Sequence, residues 1–136
     1  MQDATQAYRK VATQISSPRE LEAILLQRSA SQLQAVRDNW NNNRDALQDA
    51  LFNNRQLWLV FLTSVTRAEN PLPVEIRQNV ANLGLFVLNH TLTMMTDPRQ
   101  EQLDSLISIN REVAAGLLAR SQQPTPETTP ARPGVP

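Results

Sequence analysis

One histidine, His90, and no cysteine set the limits on what chemistry this chain can do. Catalysis needs a nucleophile, a base and a charge-stabilising donor converging on one reacting atom. Without cysteine there is no thiolate nucleophile, no disulfide and no zinc site that depends on sulfur. The three glycines stand apart and form no loop that would cradle a phosphate. Carboxylates occur as scattered pairs, Glu20 with Glu22 and Asp45 with Asp49. Beside a single histidine they make no metal-ligand spacing and read as solvated helix faces. The chain is therefore expected to be no enzyme and to use neither a metal nor a cofactor. His90, between Val87 and Met94, has two readings: a pH-sensitive site, since only histidine titrates unperturbed near neutrality, or a hydrogen-bonded side chain at the edge of a core.

Other residues suit gripping better than catalysis. Trp40 and Trp58 are costly to expose, and tryptophan is enriched where proteins hold one another. Trp58 falls in an apolar stripe and reads as core or as an interface anchor; Trp40 stands in an asparagine-rich loop. Asn54 and Asn110 interrupt apolar stripes, so each amide needs a partner inside the domain or on a bound chain. Arginine supplies nearly all of the thirteen basic residues, but without a run or a one-sided stripe. Thirteen acidic residues cancel them. Direct nucleic-acid binding is not indicated, and no field draws the chain to an anionic membrane.

The elements that must position these residues follow from periodicity. With 136 residues and 40% apolar content, one domain with one core is expected. Breaks at Ser16 to Pro18, Asp38 to Asn43, Glu69 to Pro73 and Asp97 to Pro98 divide it into five helical segments. The first, about Asp3 to Ile15, has a weak stripe of Ala4, Ala7, Tyr8, Val11, Ala12 and Ile15 and reads as a docking arm. The second opens on Ser17, Pro18 and Glu20, a serine cap, a proline suited to the first helical position and a glutamate that completes a capping box. It runs to about Arg37. The third starts near Asn43 as cap, with Asp45 in the first turn, and runs through Leu47, Leu51, Trp58, Phe61, Leu62 and Val65. The fourth follows Pro73 with Ile76, Val80, Leu83, Val87, His90 and Met94 on one face. The fifth follows Pro98, with Leu103, Leu106, Ile107, Asn110, Val113, Ala114 and Leu117, and ends near Arg120.

The runs LWLVFL and LGLFVL are apolar around the whole helix circumference, which predicts cover on several sides and makes segments three and four the central antiparallel pair. Neither run is long enough to span a membrane, and the polar amino terminus lacks a signal-peptide pattern, so the cytoplasm is expected. After Arg120 the chain becomes rich in proline and threonine, with too little apolar surface to offset the entropy of ordering. The expected architecture is all-α: one compact domain of about five helices over residues 1–120 and a disordered tail over 121–136.

Three stretches then resemble a known family. NNRQLW (Asn53 to Trp58), PLP (Pro71 to Pro73) with IRQNVANLGLFVLNHT (Ile76 to Thr91), and LISINREVAAGL (Leu106 to Leu117) are similar, in order and spacing, to the flagellar biosynthesis regulator FlaF. Ala7, Tyr8 and Pro18 to Glu22 resemble that family's opening pattern, so the similarity covers about Ala7 to Arg120. The resemblance implies a cytoplasmic protein of alphaproteobacterial flagellar systems that promotes flagellin production, binds flagellin before export and works opposite the repressor FlbT. Flagellin, and FlbT beside it, are the partners it suggests. On that footing Asn54, Arg55, Trp58, His90, Asn110 and Arg111 are the candidate protein-binding residues. A helical domain with an apolar groove suits an amphipathic helix of an unassembled subunit. Two other readings stay open: a post-transcriptional regulator acting on flagellin messenger RNA directly or through FlbT, and an adaptor of the flagellar base.

Overall fold

The computed structural model describes residues 17–42 and 44–121. Helix α1 spans Pro18–Asp38, α2 Arg44–Val65, α3 Val74–Thr96 and α4 Leu103–Ser121, with 3-10 turns at Trp40–Asn42 and Gln100–Gln102. The all-α class expected from the helical spacing is what forms, and the described residues contain no strand. Four of the five expected segments are these helices. The first segment, the cap at Asn43 and residues 122–136 of the tail lie outside the described residues.

Local chemistry explains where the helices start. Ser17 is extended (φ −136°, ψ 147°), and its Oγ accepts the Glu20 amide at 3.1 Å while Pro18 takes the first turn, where its missing N–H costs nothing. Asn39 closes α1, its backbone and side-chain N–H groups both donating to the Ala35 carbonyl. Between α2 and α3 the turn is held from both sides. Asn70 Nδ2 donates to the Ser64 carbonyl and Asn70 Oδ1 accepts the Leu72 amide, while Arg77 donates to the carbonyls of Arg67 and Leu72. Helix α4 begins four residues later than Arg99, the first residue after Pro98, because a 3-10 turn closed by Gln102 N–H to the Arg99 carbonyl comes first. Gln100 ties that turn to the end of α1 by donating to the Arg37 carbonyl at 2.8 Å.

Successive helices run antiparallel, as in an up-down-up-down bundle. Arg37 pairs with Asp104 while the Leu26 carbonyl meets Asn110, which sets α1 against α4. Ser29 meets Asn54 and Gln32 meets Asn53, setting α1 against α2. Gly84 sits against Leu62, setting α3 against α2.

The central pair differs from the expectation. It is α1 with α4 that lie closest along their length, whereas α2 and α3 pack less extensively and α3 only grazes α4. Size decides this. Helices α1 and α4 bury Ala23, Ala30 and Ala114, and small side chains let two backbones approach. The bulky LWLVFL and LGLFVL runs hold their helices farther from a second layer, and Val60, Leu85 and Phe86 within them are exposed. Apolarity around the circumference marked these segments as unusual, but not as central.

Candidate functional site

Three of the six candidate residues meet inside the bundle. Trp58 Nε1 donates to Asn110 Oδ1 at 2.9 Å. Asn110 Nδ2 donates to Asn54 Oδ1 at 2.7 Å and to the Leu26 carbonyl at 3.4 Å. Ser29 Oγ also donates to Asn54 Oδ1, at 2.7 Å. Asn54, Trp58 and Asn110 are each 0% exposed, and the Trp58 ring lies tilted against Phe61 with centroids 5.4 Å apart. The cluster therefore ties α1, α2 and α4 together from within, and presents nothing to a partner while the bundle is closed. Both asparagines find their partners inside the domain, although Asn54 Nδ2 has none. A buried amide network of this kind is costly to leave half-made and so favours one helix register.

The other three candidates stand apart from the cluster and from one another. His90 is half-buried where α3 meets the turn before α4; its Nε2 donates to the Gln102 carbonyl at 2.8 Å, and its ring stacks on Phe86 at 5.1 Å. It is a hydrogen-bonded histidine at the core edge. Arg55 sits at the surface of α2, donating to Gln56. Arg111 is exposed on α4, in a polar groove of about 380 Å³ that it shares with Gln34, Arg37, Asp104 and Glu112. No single surface contains all six candidates.

Two apolar surfaces were not singled out from the sequence. A groove of about 250 Å³ between α1 and α2 is lined by Leu21, Leu25, Leu57, Val60 and Phe61. Glu22 lines it too, and burial there pushes its carboxyl above the ordinary range, partly offset by Arg19. On the far side of α2 the exposed apolar residues are Phe52 on α2 and Val74, Leu85, Leu92 and Met95 on α3. One signal for this second face is present in the sequence: from Gln78 to Thr96, α3 contains no Asp, Glu, Lys or Arg. Ordinary domains devote about a quarter of their residues to charge.

Among the described residues no group of His, Asp or Glu is arranged to hold a metal ion, and no helix is long and apolar enough to cross a membrane. The sequence model described as flagellar protein FlaF matches residues 4–117. No curated protein and no solved structure matches the chain.

Proposed function

The chain belongs to the flagellar protein FlaF family, and from that premise we propose that it binds unassembled flagellin in the cytoplasm and promotes flagellin synthesis and flagellum assembly. In this reading it is a secretion chaperone and not an enzyme, with FlbT as a second partner in the same regulation. The observation that carries the reading is the family match, which spans all four described helices except the end of α4.

The surface supports it. Terminal helices that polymerise when free need their apolar faces covered before export, and an exposed apolar face on a bundle is a place to cover them. The alternative, action on flagellin messenger RNA directly or through FlbT, would use basic side chains facing one groove. Arg55, Arg77 and Arg111 instead sit on α2, the first turn of α3 and α4; Arg77 is engaged by backbone carbonyls, and the groove that Arg111 shares with Arg37 also contains Asp104 and Glu112.

Isothermal titration of the full chain with monomeric flagellin, and in parallel with flagellin leader RNA at matched salt, tests the reading. A one-to-one complex with flagellin and none with RNA is the expected result. RNA binding without flagellin binding would overturn it and establish the regulator.

A further inference from the structure

The groove between α1 and α2 opens at the start of α1. Pro18, Leu21 and Leu25 line it from α1, and Leu57, Val60 and Phe61 from α2. Leu21 and Leu25 are half-buried, and Val60 at the rim is 69% exposed. Apolar walls of this kind gain by being covered. Glu22 is the single charged side chain among the described residues that line it.

The chain itself arrives at this opening. Ser17 is extended, with φ −136° and ψ 147°, the conformation that a following proline favours. A helix cannot run on through it, so the segment before it leaves the axis of α1. Two residues, Ser16 and Ser17, separate Pro18 from Ile15, the last apolar position of the amino-terminal stripe. A joint of that length suffices to turn one helix back beside the next.

Pattern, length and charge of the stripe suit the groove. Tyr8, Val11 and Ile15 follow at steps of three and four, one apolar line if the segment is helical. Tyr8 to Ile15 contains as many residues as Pro18 to Leu25, roughly 10 Å of helix in each case. Laid antiparallel to α1 with Ile15 at the joint, Val11 comes level with Glu22 and Tyr8 with Leu25. Helix α2 runs antiparallel to α1, with Ser29 against Asn54, which brings Val60 and Phe61 to that same level. From Ala4 to Ile15 the charged residues are Arg9 and Lys10, with no acid among them. Glu22 tolerates an occupant of that sign, whereas an acidic helix would be repelled while losing its water.

Attachment selects this occupant over a free one. A short joint presents the segment to the groove at roughly millimolar effective concentration, so a separate helix of equal fit competes only when it is as concentrated.

We infer that residues 4–15 fold back over α1 as an amphipathic helix and fill the α1–α2 groove, setting Tyr8, Val11 and Ile15 against Leu21, Leu25, Leu57 and Val60. The groove is then closed by the chain's own arm, and a partner helix enters it only by displacing that arm.

The chain has no cysteine, so introduced pairs report the docking directly. The test compares disulfide closure under mild oxidation in two versions of the full chain, Val11→Cys with Val60→Cys and Val11→Cys with Ala119→Cys. Ala119 is exposed near the end of α4, which lies beside the start of α1 on its other flank. The Val60 pair is expected to close within one molecule at least about 30-fold faster than the Ala119 pair. Adding Tyr8→Asp to the Val60 pair should slow closure by about tenfold or more, because a carboxylate would then enter an apolar groove beside Glu22. The reduced variants should melt as wild type does; if Val60→Cys melts lower, Ser64→Cys takes its place. Comparable rates for the two pairs, or closure unmoved by Tyr8→Asp, would overturn the docking. A disulfide formed between two molecules in place of one within a molecule would give the groove to the arm of a second copy and overturn it as well.

Discussion

Asn110, on α4, reaches two other helices through one amide: it accepts from Trp58 on α2 and donates to Asn54 on α2 and to the Leu26 carbonyl on α1. Asn110→Ala would strand the indole N–H and empty space in the core. It is expected to lower stability by roughly 3 kcal/mol, read from urea unfolding. Arg111→Ala, one residue along and exposed, should stay within about 0.5 kcal/mol of wild type. Glu22 offers a test of opposite sign. Burial raises its carboxyl above the ordinary range against the pull of Arg19, so the folded state holds that proton more tightly than the unfolded chain. Its contribution is therefore present at low pH and is lost as pH rises through the folded value, leaving an ionised, half-buried carboxylate as a cost at neutrality. Glu22→Gln is expected to raise the melting temperature at pH about 7 and to lose that advantage below pH about 4, where both states are protonated. At this scale the sequence identified Asn54, Trp58 and Asn110 as residues that interrupt or anchor a stripe. It left open whether they face inward, because an amide in an apolar stripe is equally consistent with a partner inside or outside.

Within single helices the glycines separate propensity from packing. Gly84 is mid-helix in α3 with Leu62 pressed against the place a methyl would occupy, at 2.6 to 3.0 Å, whereas Gly116 in α4 has nothing within 4 Å. Gly116→Ala is expected to stabilise the protein by about 0.5 to 1 kcal/mol through helix propensity alone. Gly84→Ala should destabilise it by about 1 to 3 kcal/mol, since Leu62 must leave its position and α3 must move off α2. Thermal melts of the two variants, shifting in opposite directions, check the pair. The helix boundaries were legible where local chemistry sets them, as at Ser17 and Pro18. The start of α4 was not: Pro98 marks where a new element can begin, but the 3-10 turn that delays it is pinned by Gln100 to the Arg37 carbonyl, a contact made only after folding.

For the molecule as a whole, charge is balanced, with thirteen residues of each sign, and α3 carries none from Gln78 to Thr96. Affinity for flagellin is accordingly expected to change by less than about threefold between about 50 and 500 mM sodium chloride; a steep fall measured by titration would point to charged contacts elsewhere. The all-α class, the four described helices and the family resemblance were all present in one dimension, because helical period, caps and breaker residues are local properties of the chain. Which helices pair was decided only in three dimensions. The long apolar runs suggested that α2 and α3 lie at the centre, yet α1 and α4 close together because Ala23, Ala30 and Ala114 permit backbones to approach, and complementary size is a property of two surfaces at once. That same choice leaves one flank of α3 bare. Hydrophobic spacing specifies that a stripe seeks cover, but whether a neighbouring helix supplies that cover, or leaves it for a partner, depends on packing that no single segment encodes.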